Sequence, residues 1–175
     1  MSIALIVLLW MSLLLILGNY VVGISEGVRA VITGLTGISF LPFHFILGVI
    51  SSLLALFSVV ITMFYFIGTG KAVKEGVKEH DLDERYYRMT LKYKKKFFPV
   101  MTLSLLFYIA LPCVGAAVSA NYLGSLTHHL VSVATIIVHF YISVRGVYYL
   151  YENDRLVSTV HRLIQEAEME EETGV

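Results

Sequence analysis

Charge is what this chain has least of, and its gaps are long. No Asp, Glu, Lys or Arg occurs before Glu26, between Arg29 and Lys71, or between Lys96 and Arg145. Only 15% of the 175 residues are charged, where a soluble domain carries about 25%. Uncharged apolar runs longer than the roughly 20 residues needed to cross a bilayer read as membrane spans. The chain therefore reads as an all-α integral membrane protein.

Other absences narrow the chemistry. The single cysteine, Cys113, excludes an internal disulfide and a Cys-x-x-Cys-His haem attachment. Without carboxylates or amines at depth, a proton-coupled carrier is disfavoured, and four short spans leave little room for alternating access. No nucleophile–base–acid set can be assembled, so no enzymatic activity is expected. "GTGK" at Gly68–Lys71 is not a phosphate loop: Tyr65 stands where the first glycine belongs, and Ala72 where Ser or Thr belongs. The formal net charge is zero, and nothing points to nucleic acid. The first segment lacks the positive n-region of a secretory signal, and "VVG" at Val21–Gly23 is a poor cleavage site, so it reads as an uncleaved helix.

What is present divides into four spans, at about 3–22, 43–67, 97–120 and 126–151. Ser25 to Leu41 is rich in glycine and threonine, a poor composition for a spanning helix and a better one for an interfacial or re-entrant segment ended by Pro42. Pro99 falls in the expected first turn of span three, where proline is tolerated, and Pro112 well inside it, where a kink is expected. Residues 1–152 form the membrane domain on this reading, and 153–175 an acidic tail. Nine of the 13 basic residues lie between Lys71 and Lys96. The Lys/Arg bias makes that face cytoplasmic and puts both termini there, in a plasma (inner) membrane.

Segment 69–96 reads as a cytoplasmic helical hairpin turning at "HDLDE". Asp81 and Glu84 have capping-box spacing, and Glu84 with Arg88 makes a favourable i,i+4 pair. Lys94, Lys95 and Lys96 would meet anionic headgroups. From Glu152 on, the chain carries a helical stripe of Leu156, Val160, Leu163 and Ala167 amid seven acids, an amphipathic helix suited to docking on the hairpin or on a partner. Its "EMEEE" end opposes the helix dipole and is expected to fray.

Histidines carry the only chemistry. His44 opens span two, and His128 and His129 open span four on the same outer side. His139, eleven residues beyond His128, lies on nearly the same face about 16 Å deeper. As interfacial residues at helix ends, the outer three need no special role, and His139 then hydrogen-bonds to a hydroxyl or carbonyl on a neighbouring helix. As ligands, His44 and His128 or His129 would hold a b-type haem between spans two and four, with Gly48 and Gly124 making room. His139 would need a ligand from another subunit to hold a second haem. Copper or zinc at the outer three is a further reading. Strips of small residues, Gly115–Ser119, Ala116–Ala120 and Gly48–Ser52–Ala55, permit close helix approach.

In architecture the layout resembles small membrane-anchor subunits of respiratory complexes, short helical bundles that often carry a b haem and a quinone site. The leading expectation is a non-catalytic anchor or assembly subunit that meets other subunits through hairpin and tail. The alternative is a bis-histidine cytochrome subunit exchanging electrons with quinol. A third reading is lipid contact through Ile32 and Leu35 on the outer surface.

Overall fold

The computed structural model describes residues 2–37 and 40–173. They form α1 (Ser2–Ile24), α2 (Glu26–Thr36), α3 (Phe40–Glu79), α4 (Arg85–Ser119) and α5 (Ser125–Thr173), with no strand among the described residues. All but α2 are long and apolar enough to cross a membrane. α1 explains its own orientation. Leu5, Leu9, Ser12 and Ile16 recur every three or four residues and are buried, while Ile3, Val7, Met11 and Leu14 lie on the opposite, exposed face. That outward apolar stripe is the surface that meets lipid.

α1 packs against α3 and α5, α3 against α4, and α4 against α5. The up-down-up-down bundle is rhombic: α3 and α5 also meet across its short diagonal. Between lipid-bathed helices there is no hydrophobic driving force, so close packing and interhelical hydrogen bonds hold them. Leu9, Val59, Phe66, Phe97, Met101, Ile142 and Leu150 fill the interior. At Gly146 a Cβ would lie 3.0 Å from Leu9 Cδ1, so only glycine admits that leucine at this distance.

The helices outrun their apolar segments. Val73 and Val77 of α3, Tyr93 of α4, and Leu156 and Val160 of α5 join the same buried cluster. At Gly76 a Cβ would come within 2.6 Å of Ile164 Cδ1, so α5 lies hard against α3 there. In water each buried Val or Leu of this extension contributes about 1.5–3 kcal/mol. α5 passes residue 152 without a break and is helical to Thr173.

Several local expectations need correction. α4 starts at Arg85, which puts Pro99 deep inside a helix that also runs through Pro112, not in a first turn. Asp81 has φ 50° and closes α3 in the left-handed conformation, with Leu82 N–H donating to Val77 O at 3.0 Å. It therefore cannot cap α4. Asp83 does so instead, its Oδ1 accepting from Arg85 N–H at 2.7 Å, while Glu84 makes no cap bond. The Glu84–Arg88 pair forms, at 3.0 Å. Within the Ser25–Leu41 segment α2 is a helix too short to span: Ser25 Oγ accepts from Val28 N–H at its start, and Gly37, at φ 66°, ends it. Pro42 sits in the first turn of α3 rather than ending the segment. Ile38 and Ser39 of that segment lie outside the described residues.

Candidate functional site

At the bundle end away from Ser2, small residues leave the packing incomplete. A cavity of about 210 Å³ lies between α1, α3, α4 and α5. His44 enters it from α3 and His128 from α5, across the short diagonal. Their ring centroids are 6.2 Å apart and the planes nearly perpendicular, at 87°. Each ring lies against a glycine on a neighbouring helix. A Cβ at Gly23 of α1 would stand 3.0 Å from His44 Cε1, and one at Gly115 of α4 3.2 Å from His128 Cε1. Any side chain there would press the imidazole out of its position.

His129 takes a different part. It turns towards Tyr20, 6.2 Å between ring centroids, and its ring is 6.5 Å from that of His128. Of the two candidate partners for His44, the geometry selects His128. Gly48 makes room for Asn19, whose Nδ2 would be 3.0 Å from a Cβ there, and Gly124 has nothing near it. The glycines that adjoin the imidazoles are Gly23 and Gly115, neither of which sequence reasoning connected to the histidines.

The cavity wall carries buried polar atoms without a hydrogen-bond partner: Asn19 Oδ1, Ser52 Oγ and His128 Nδ1. Leaving such an atom unsatisfied costs about 1–3 kcal/mol, a cost that an occupant with polar groups would offset. Among the described residues no three His, Cys, Asp or Glu side chains converge as a metal-ion site. The copper or zinc reading of the outer histidines thus lacks its ligand set.

His139 does not join this site. It is wholly buried three turns deeper on α5. Its Nε2 lies 3.0 Å from Leu9 O and 3.0 Å from Ser12 Oγ, and Tyr108 OH bonds to Nδ1. With both nitrogens engaged, no edge of the ring faces a ligand space. At the other end of the bundle Asp154 accepts from Tyr65 OH and Ser2 Oγ, tying α1, α3 and α5 together. Neither contact was anticipated from sequence, although Asp154 lies within three residues of the end of the last apolar run.

Comparison with protein-family models, curated proteins and solved structures finds no match to this chain. Its function is therefore argued from the site alone.

Proposed function

We propose that this chain is a small b-type cytochrome, a subunit of a larger electron-transfer complex, with haem iron between His44 and His128 and electrons exchanged with quinol. The facing imidazole pair carries this reading. Iron bonded at about 2 Å by one nitrogen from each ring would set the centroids roughly 6 Å apart, close to the 6.2 Å found. The glycine against each ring favours a fixed imidazole. His129 and Tyr20 also line the cavity. The haem would supply one-electron redox chemistry, and His44 and His128 would hold it.

A dithionite-reduced minus air-oxidised spectrum of protein purified in mild detergent, with iron quantified, tests this. A b-type band with about one iron per chain is expected. It should vanish in His44→Ala and His128→Ala and persist in His129→Ala and His80→Ala. A flat spectrum from folded, iron-free protein overturns it.

A second reading needs no cofactor. The extension of α3, α4 and α5 beyond the apolar runs, knit by Val73, Val77, Leu156 and Val160, suits a docking element for other subunits. Nine of 13 basic residues lie at this end, which favours a cytoplasmic position in a plasma (inner) membrane. Truncation after Asn153 should then release partners from a purified complex while the histidine variants retain them.

A further inference from the structure

The last apolar run contains one charge, Arg145. A charged side chain within a span is costly and marks a functional site. Its neighbours fix where it stands. Gly146, the next residue, faces the interior against Leu9 and Phe97, while Arg145 is exposed on the outer surface of α5. Tyr149, one turn on, packs on Tyr93 and Phe97 of α4, with ring centroids 6.1 and 5.0 Å away. Arg145 and Tyr149 share a helix face, so Arg145 lies at the outer groove between α4 and α5.

The groove holds the guanidinium in place. Arg145 Nη2 donates to Tyr149 OH at 3.2 Å, and the guanidinium carbon is 5.2 Å and 5.6 Å from the ring centroids of Tyr149 and Tyr148. Such rings attract a cation but do not neutralise it. The polar groups that act on Arg145 are Tyr141, Tyr148 and Tyr149, and no carboxylate among the described residues pairs with it. Glu152, the nearest acid along α5, lies about 10 Å further along the axis. A guanidinium has five N–H donors, and the bond to Tyr149 leaves the others for a further acceptor.

A second cation stands beside it. Phe97 faces Tyr149 of α5, and Phe98 faces Phe66 of α3, 6.4 Å between ring centroids. Successive residues step about 100° around a helix, so Lys96, on the other side of Phe97, is turned towards α5, and it is exposed. The contact of Phe97 with Tyr149 puts Lys96 near the level of Tyr149, at the edge of the apolar segment of α4. Arg145 begins one turn deeper, about 5.4 Å, a distance that its long side chain covers.

We propose that Arg145 and Lys96 bind the phosphodiester of a phospholipid of net negative charge, in the α4–α5 groove at the basic end of the bundle. The guanidinium fork matches two phosphate oxygens, and Lys96 adds a point charge. Basic pockets between spanning helices take anionic headgroups, and two cations disfavour a zwitterionic lipid, whose own ammonium competes. Tyr141 and Ile137, exposed one and two turns deeper on the same face, offer the acyl chains an apolar bed. The site uses no residue of the histidine cavity, so it stands whether or not haem is bound there.

The test is full-length protein, stripped of lipid in detergent, mixed with phosphatidylglycerol or phosphatidylcholine, with bound lipid counted by native mass spectrometry. Phosphatidylglycerol should be retained several-fold better. Arg145→Gln should weaken its binding about 5-fold, the effect of one charge at a membrane surface. Lys78→Gln, the same change of charge near the end of α3, should leave it unaltered. Lys96→Gln should also weaken binding and serves if Arg145→Gln does not fold. Equal retention of the two lipids overturns the proposal, as does a folded Arg145→Gln protein that binds phosphatidylglycerol like wild type. Displacement of the lipid by an equal concentration of inorganic phosphate overturns it in favour of a free anion. A protein that co-purifies with wild type and is lost from Arg145→Gln, with lipid binding unchanged, overturns it in favour of a partner's carboxylate.

Discussion

Gly115→Ala separates a ligand site from ordinary packing. The added methyl would lie 3.2 Å from His128 Cε1 and 3.5 Å from Nδ1, so the imidazole must yield by a few tenths of an ångström. In the ligand-free protein it can swing into the cavity. The helix meanwhile gains the roughly 1 kcal/mol by which alanine exceeds glycine. Stability should therefore stay level or rise. With iron fixing the ring, the strain has no outlet, and overpacking of this kind costs about 1–3 kcal/mol. Haem affinity should fall by about 5- to 150-fold. Gly18→Ala is the control, since nothing lies within 4 Å of that position; it should gain the same propensity and leave affinity alone. Haem titration of apoprotein, followed by Soret absorbance, gives the affinities, and thermal unfolding in detergent gives the stabilities. If Gly115→Ala and Gly18→Ala bind haem equally well, His128 is not held as an axial ligand and the reasoning fails.

Further predictions follow from the other polar groups. His139→Ala removes cross-helix bonds worth about 0.6 to 1.7 kcal/mol each and leaves a void, a loss of about 2–4 kcal/mol in all; a change within about 0.5 kcal/mol in SDS-induced unfolding would refute its role as a structural centre. Ser52→Ala deletes a buried, unpartnered hydroxyl and should stabilise the empty protein by about 1 kcal/mol, so a clear destabilisation would mean that the hydroxyl has a partner in the membrane. His80→Cys in a Cys113→Ser background should react with a membrane-impermeant thiol reagent only from the cytoplasmic side; labelling of intact cells would invert the topology.

The spans were legible because charge segregation is a coarse signal that a bilayer enforces. Their helical ends were not. The sequence from Arg85 to Phe97 is basic, which suggests a boundary at the apolar run, but Thr90, Tyr93, Phe97, Met101, Ser104 and Tyr108 keep one inward stripe through it. The helix follows that stripe, and so Pro99 lies within it. At the tip, Asp81 and Glu84 had the spacing of a cap, and the competing use of Asp81 to end α3 at positive φ decided against it. α2 was obscured by composition: glycine and threonine lower helix propensity, but Ser25 and Gly37 cap both of its ends.

For the site, sequence supplied depth but not rotation. Counting residues from the helix ends brought His44, His128 and His129 to one level. It could not tell which of two adjacent imidazoles, set about 100° apart on a helix, faces α3. That choice is made by packing between α4 and α5, where Gly115 admits the His128 ring and Tyr20 draws His129 aside. Such pairings link residues far apart in the chain, and a single sequence carries no mark of them. His139 illustrates the same limit. Its partners include the backbone carbonyl of Leu9, an atom every residue has, so only the fold distinguishes it. The same kind of side chain therefore ties three helices together at one depth and faces another imidazole eleven residues away, and the difference lies in what the neighbouring helices offer: hydroxyls and a carbonyl in the middle, glycines at the end.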